Sequence, residues 1–367
     1  MNHVLLVVGA RPNFMKVAPI IREMRKMPRD FDPVLVHTGQ HYDANMSQVF
    51  FDELGLPRPD VNLEVGSGSN SWQTAQIMLR FEPVVLDYKP DWVVVVGDVN
   101  STLACALVSS KVGARVAHVE AGLRSFDLTM PEEINRLLTD QIADLLFTPS
   151  PDANENLLRE GIREEKIRLV GNVMIDTLVR LLPKARERWP GLIERFGLER
   201  YVLVTLHRPS NVDDSKTLSE IMAALTELSQ KTPVLFPVHP RTHQRIAESG
   251  LQPATRNLQL IEPLGYLDFL ALEARADLVL TDSGGVQEET TYLGVPCLTA
   301  RPNTERPVTV TSGTNCLVES KQQALVAAAF AALNGSWKQG SVPELWDGIA
   351  AQRIVQAMLG ESVLEEE

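Results

Sequence analysis

Asp277-Leu278-Val279-Leu280-Thr281-Asp282-Ser283-Gly284-Gly285-Val286-Gln287-Glu288-Glu289 sets an apolar run of strand length against a glycine turn and then a helix-like stretch. So short and continuous an apolar run reads as a parallel strand buried on both faces. At the turn, Gly284 and Gly285 remove the β-carbons that would keep a ligand off the backbone N–H groups, at a helix start where the dipole favours an anion. Ser283 adds a hydroxyl, and a diphosphate suits such a cradle. Glu288 and Glu289, about one helical turn further in, are placed to accept ribose hydroxyls from the same ligand. The alternative is an ordinary strand-to-helix turn, with glycine for geometry and two solvated glutamates.

Apolar runs of the same kind recur along the chain. Val4–Val8, Val34–Thr38, Trp92–Val96, Arg115–Val119 and Leu145–Thr148 alternate with helical patterns in the first half. After Gly171-Asn172 the alternation restarts with Tyr201–Leu206, Val234–Pro237, Leu258–Ile261, Leu278–Thr281 and Pro296–Thr299. Strands separated by helices build parallel sheets. The pattern predicts an α/β chain of two doubly wound, Rossmann-like domains, 1–170 and 171–348, facing a central cleft. A last helical pattern over 349–360 fits either domain and is assigned to the first. Gly66-Ser67-Gly68-Ser69-Asn70-Ser71 has no strand before it and reads as a mobile loop rather than a dinucleotide fingerprint.

Composition narrows the function classes. The 367 residues suffice for two cores, and 44% apolar with 22% charged residues is ordinary for a globular protein. A formal charge of −12 argues against a general polyanion binder, so no nucleic-acid partner is expected and any phosphate contact falls to a few placed bases. Cys105, Cys297 and Cys316 are odd in number, widely spaced and in apolar surroundings, which suggests neither a disulfide framework nor a metal site. The opening residues lead straight into Val4–Val8 without a signal-peptide pattern, and no apolar run approaches the roughly 18 residues of a membrane span. The expectation is a soluble, cytoplasmic protein with no membrane partner.

Polar clusters follow the apolar runs, where open parallel sheets bind ligands. Gly9-Ala10-Arg11-Pro12-Asn13-Phe14-Met15-Lys16 brings two cations, Arg11 and Lys16, that either meet a phosphate or are solvated bases. Gln40, His41 and Asp43 line either the cleft or a regulatory pocket. Asp98 follows Trp92–Val96 as a helix N-cap or a cleft carboxylate. Glu120 ends the following strand, and Glu132 with Glu133 opens a helix, where they either favour the dipole or join an acid–base group. In the second half, His207 follows Tyr201–Leu206 as a diphosphate contact or a packed histidine, and Val238-His239-Pro240-Arg241 repeats the position one strand later. Tyr266 and Phe269 offer rings for a base to stack on, or belong to the core. Arg306 lies just beyond Pro296–Thr299.

Together, Gly9-x-Arg11-Pro12-x-x-x-Lys16, Gly97-Asp98, His118-Val119-Glu120-Ala121-Gly122-Leu123-Arg124, Pro131-Glu132-Glu133-x-Asn135-Arg136, His207-Arg208, Asp282-Ser283-Gly284-Gly285-x-Gln287-Glu288-Glu289 and Thr304-Glu305-Arg306-Pro307 resemble the non-hydrolysing UDP-N-acetylglucosamine 2-epimerases over essentially the whole chain. The resemblance implies a GT-B type fold, a homodimer, reversible conversion of UDP-N-acetylglucosamine to UDP-N-acetylmannosamine and a supply role in surface polysaccharide synthesis. It implies that Arg11, Lys16, His207, Ser283, Gly284 and Gly285 hold the UDP, with His207 also in the catalytic set. Glu289 would take the ribose, Phe269 the uracil region and Arg306 the sugar or phosphate side. Asp98, Glu120 and Glu132 would be the catalytic carboxylates. Asn13 stands where many members carry Glu, Leu264 where some carry Gln, and the loop over 125–130 is shorter than in some; these departures bear on fine substrate preference.

The residue types suit the reaction. The sugar C2–H is not next to a carbonyl carbon, so direct deprotonation is implausible, whereas anti elimination of UDP gives a 2-acetamidoglucal to which UDP adds back. That route needs acid–base carboxylates on the two faces and cations for the departing diphosphate, with no metal and no cofactor expected. A hydrolysing epimerase that releases UDP and N-acetylmannosamine, and an epimerase of a modified UDP-diacetamido sugar, fit the same motifs.

Overall fold

The structure is a computed structural model that describes residues 1–39, 55, 58–197, 199–251 and 255–363, the side chains of Arg11 and of 361–363 excepted. The chain forms two compact units, Met1–Thr177 with Glu344–Glu367, and Leu178–Pro343, each around its own parallel sheet.

In the first unit β1 (Asn2–Val8), β2 (Phe31–His37) and β3 (Val61–Asn62) step outward to one edge. The chain then returns to the other side of β1 for β4 (Trp92–Val96), β5 (Arg115–Val119), β6 (Leu145–Thr148) and β7 (Ile167–Leu169). The reversal between β1 and β4 is a topological switch point, which leaves a crevice at their carboxyl ends. Every residue of β4 is buried, as its unbroken Trp-Val-Val-Val-Val requires in a sheet covered on both faces. Helices α1 (Arg11–Arg25), α2 (Asn70–Tyr88), α3 (Asn100–Val112), α4 (Pro131–Ile142) and α5 (Pro151–Arg159) supply the cover. Leu5, Val7, Val93, Val95, Val116 and Leu146 meet Ile77, Phe81 and Val85 of α2 in one core.

The long helix α6 (Val173–Phe196) carries the chain onward, and the second sheet repeats the plan with β8 (Val202–Thr205), β9 (Val234–Pro237), β10 (Leu258–Ile261), β11 (Leu278–Thr281), β12 (Cys297–Ala300) and β13 (Asn315–Val318). Its order is β10-β9-β8-β11-β12-β13, with the reversal between β8 and β11. Its helices are α7 (Pro209–Val212), α8 (Ser215–Ser229), α9 (Pro240–Glu248), α10 (Tyr266–Glu273), α11 (Gly284–Leu293), α12 (Pro307–Thr311) and α13 (Gln322–Leu333). The last helix, α14 (Ala350–Val363), belongs to the first unit, where buried Asp176 accepts from the Ala350 and Ala351 N–H groups at 3.0 and 2.7 Å.

The predicted strands are present, and β3, β7 and β13 are additional. All three lie at sheet edges and are only partly buried, so none carries a continuous apolar run. The glycine- and serine-rich stretch before α2 is irregular: Gly66 N–H donates to Gly39 O at 3.0 Å, and the Ser69 hydroxyl caps α2. Among the described residues no helix is long and apolar enough to cross a membrane.

Candidate active site

In the first unit the site groups hang from three neighbouring strand ends. Parallel register pairs Val96 with Val119, so Asp98 and Glu120 emerge just beyond matched residues. Asn13 staples this edge together. Its Oδ1 accepts from Gly9 N–H at 3.1 Å and Ala10 N–H at 2.9 Å, and its Nδ2 donates to Val96 O at 3.1 Å. Lys16, one turn along α1, is buried and donates to Glu120 Oε2 at 2.5 Å. Glu120 is also buried, on a left-handed backbone with φ 68°. Gly97 has φ 68° as well, and a β-carbon there would stand 3.0 Å from Lys16 Nζ, so glycine is what lets the ammonium reach the carboxylate.

Asp98 is half-buried and its carboxylate pairs with Arg136, while Asn135 Nδ2 holds the Asp98 carbonyl at 2.8 Å. Glu133 is enclosed: it accepts from Ser125 N–H at 3.0 Å, Phe126 N–H at 2.8 Å and Arg136 Nη2 at 2.5 Å. Burial pushes its carboxyl up, but these donors outweigh burial and leave it below the usual carboxylate range. Glu132, on the same first turn, is exposed. The structure therefore brings Lys16, Asp98 and Glu120 to one edge and leaves Glu132 at the surface of α4. Behind them, buried Asp140 accepts from Gly122 N–H at 3.0 Å and Arg124 at 2.7 Å and meets His118 Nδ1 at 2.6 Å, while His118 Nε2 meets Gly97 O at 2.8 Å. This network ties the turn at Gly97 to the turn at Gly122.

In the second unit Asp282 is the hub. The register of β11 with β8 sets Thr281 beside Thr205. From there Asp282, fully buried, accepts from His207 N–H at 3.1 Å, Arg208 N–H at 2.9 Å and Asn211 Nδ2 at 3.0 Å, with His207 Nδ1 at 3.1 Å. Burial pushes its carboxyl up, yet His207 and these donors bring it below the ordinary range. Ser283 is the N-cap of α11, whose first residues are Gly284 and Gly285. A β-carbon on Gly284 would lie 2.6 Å from Arg306 Nη1, so the glycine admits the guanidinium beside the helix N-terminus.

Arg306 is buried and donates through Nε to Glu288 at 2.7 Å and through Nη1 to Glu305 at 2.5 Å. Arg301 bonds the other oxygen of Glu305 at 2.8 Å, and Arg208 stands 3.5 Å from the oxygen that Arg306 holds. Burial opposes ionisation of Glu305, but Arg306, Arg301 and Arg208 hold its carboxyl far below the usual range. Burial, with Arg301 and Arg306 nearby, lowers Arg208. At the neighbouring strand end, His239 is lowered by burial and by His207 and Arg241, and its ring centroid is 6.3 Å from that of His207.

The acidic pair on α11 divides between two partners. Glu288 is taken by Arg306, whereas buried Glu289 accepts from the Tyr266 hydroxyl at 2.6 Å. This corrects the expectation that both glutamates face a ribose: adjacent helical residues point about 100° apart. Phe269 is half-buried on α10. Sequence reasoning missed Arg208, Arg301 and Glu305 as one charge cluster, and Glu273, which ends a helix whose preceding residues, Phe269 to Leu272, are all apolar. For Glu305 the signal was its place between Thr304 and Arg306; for Glu273 there was none. Arg11 opens α1, its side chain lying outside the described residues, as do Gln40, His41 and Asp43. Among the described residues no cluster of three metal-ligating side chains occurs.

Compared with known proteins, residues 22–359 match the family model described as UDP-N-acetylglucosamine 2-epimerase. The UDP-N-acetylglucosamine 2-epimerase of Methanocaldococcus jannaschii is 45% identical over 96% of this chain and 98% of its own length. The UDP-2,3-diacetamido-2,3-dideoxy-D-glucuronate 2-epimerase of Pseudomonas aeruginosa is 42% identical over 96% and 98%. A crystal structure of the M. jannaschii enzyme in complex with UDP-GlcNAc and UDP superposes with a TM-score of 0.88 over 97% of this chain and 99% of that one.

Proposed function

The chain belongs to the UDP-N-acetylglucosamine 2-epimerase family, and from that premise we propose that it reversibly converts UDP-N-acetylglucosamine to UDP-N-acetylmannosamine without hydrolysis. The observation that carries the reading is the Lys16–Glu120 and Asp98–Arg136 arrangement at one sheet edge, in a chain so similar to a relative named for this reaction.

A carboxylate takes the proton from C2, the C1–O bond breaks with its electron pair leaving on UDP, and a C1–C2 double bond forms. Re-addition joins a UDP oxygen to C1 while C2 receives a proton on the opposite face. Asp98 and Glu120 are the proton-transfer groups in this proposal. Glu132 assists or orients from the rim, exposed on the first turn of α4 three and four positions before Asn135 and Arg136. His207, with its Nδ1 at Asp282, presents the other edge of its ring to the diphosphate, and Lys16 and Arg11 add positive charge. Ser283, Gly284 and Gly285 cradle the phosphates at the start of α11, Glu289 takes the ribose, Phe269 the uracil region, and Arg306 the phosphate side.

The product would feed surface polysaccharide synthesis. A nucleotide-sugar substrate and three free cysteines suit the cytoplasm. A homodimer through the exposed faces of α2 and α4 completes the proposal.

Proton and phosphorus NMR with UDP-N-acetylglucosamine in deuterated water tests the reaction. UDP-N-acetylmannosamine with deuterium at C2 and little free UDP is expected. Stoichiometric UDP with N-acetylmannosamine would replace it by the hydrolysing reaction. The P. aeruginosa relative favours one second reading, a diacetamido uronate sugar, which turnover of that substrate alone would establish.

A further inference from the structure

Two carboxyl groups and a phenol meet in the second unit, around the Glu289 assigned to the ribose. The Tyr266 hydroxyl donates to Glu289 Oε1 at 2.6 Å, and Glu273, two turns along α10 from Tyr266, is fully buried beside Glu289. Ionised, Glu273 would have no donor for either oxygen among the described residues, a state that burial strongly disfavours. Protonated, it has the Glu289 carboxylate beside it as an acceptor. Two carboxyl groups in such contact need a proton between them.

We propose that Glu273 is a positioning residue that shares one proton with Glu289, so that ribose hydroxyls bind the pair in its singly charged form and a second proton expels them. This rests on the reading of Glu289 as the ribose ligand. Burial is the main cause that pushes Glu273 well up, with the Glu289 charge adding to it. Burial also pushes Glu289 up to about 7, helped by Glu288 and opposed by the bonds from Tyr266 and Glu273. Among the described residues, Cys297 on β12, Glu288 on α11 and Tyr266 on α10 act on the pair, and Arg180 on α6 acts on Tyr266. Glu288 is already in an ion pair with Arg306, so the proton that moves near neutral pH belongs to the Glu273–Glu289 pair.

Uridine is the probe, because it carries the ribose and base but no phosphate whose own titration would interfere. Its affinity, read by ligand-observed NMR from about pH 5.5 to about pH 8.5, is expected to be flat at the alkaline end and to fall about tenfold per unit below about 7. Glu273→Leu removes the donor that favours ionised Glu289 and should move that fall to higher pH. Glu273→Gln, whose amide donates in place of the acid, should restore it. A flat wild-type profile, with Glu289→Gln still weakening uridine, would overturn the shared proton and leave the ribose reading intact. A Glu273→Leu profile that coincides with wild type would overturn the role of Glu273. Uridine affinity unchanged by Glu289→Gln would overturn the ribose reading itself. A flat wild-type profile overturns the shared proton whether or not a variant folds, and Glu273→Gln keeps the role of Glu273 testable if Glu273→Leu fails to fold.

Discussion

Glu120 carries its side chain on a backbone with φ 68°, a conformation that costs a residue with a β-carbon about 1–2 kcal/mol. What holds it there is local: the Lys16 ammonium at 2.5 Å, and the neighbouring turn at Gly97, itself at φ 68° and tied to His118. Strain retained at a strand end beside a buried cation is what a proton-transfer group needs if its carboxylate is to be aimed rather than free. Glu120→Gln keeps the shape and removes the proposed base. Turnover should fall about 100-fold to 10,000-fold, with deuterium exchange at C2 lost in step and UDP affinity unchanged within about twofold. Exchange that persists at the wild-type rate would reduce Glu120 to an ion-pair partner of Lys16. The position of Glu120 was legible, since it directly follows an apolar run. Its left-handed backbone was not, because that depends on what Gly97 and Lys16 do across the sheet. Glu273 was illegible for the opposite reason: Leu267, Leu270, Ala271 and Leu272 make its helix look like core, and only packing shows that a carboxyl group is buried with them.

At the scale of elements, the turns after the strands were legible and the edges were not. A central strand such as β4 announces itself because both faces are buried, while β3, β7 and β13 each leave part of their length to solvent and lose the pattern. The glycines of the turns carry more information than their sequence context suggests. Gly122 and Gly113 both sit at positive φ, 78° and 85°, yet a β-carbon on Gly122 would lie 2.4 Å from Ala153 O of α5, whereas one on Gly113 would meet nothing. Gly113→Ala should cost about 1 kcal/mol, the backbone penalty alone. Gly122→Ala must also push a helix backbone away from β5 and should cost about 3 kcal/mol or more. Urea midpoints for the two variants check this. Equal shifts would mean that α5 yields freely, and the Gly122–Asp140 bond would then be a weak anchor for the turn that holds Glu120.

For the whole molecule, the question left by a charge of −12 and an ordinary apolar content is where the exposed apolar surface gathers. In the first unit part of it is the loop before α4, with Phe126 and Leu128, and part lies on helices. Trp72, Leu79 and Leu86 of α2 recur every seven residues, about two turns, so they form one stripe, with Leu79 65% and Leu86 54% exposed. Ile134 and Leu138, one turn apart on α4, are exposed as well, and α3 packs against both α2 and α4. Large apolar side chains at this density do not remain in water on an isolated monomer without consequence. A second copy of the chain is the proposed cover, because a two-fold interface uses the same patch twice and needs no other partner. A stable dimer buries about 800 Å² on each partner. Leu79→Glu places a charge in the middle of the stripe. Because Leu79 makes little contribution to the core, the variant should keep the wild-type far-ultraviolet spectrum and unfold within a few degrees of it. In the ultracentrifuge the wild type should sediment as a dimer and Leu79→Glu as a monomer. A wild type that sediments as a monomer sinks the homodimer altogether, and a variant that stays dimeric moves the interface off α2.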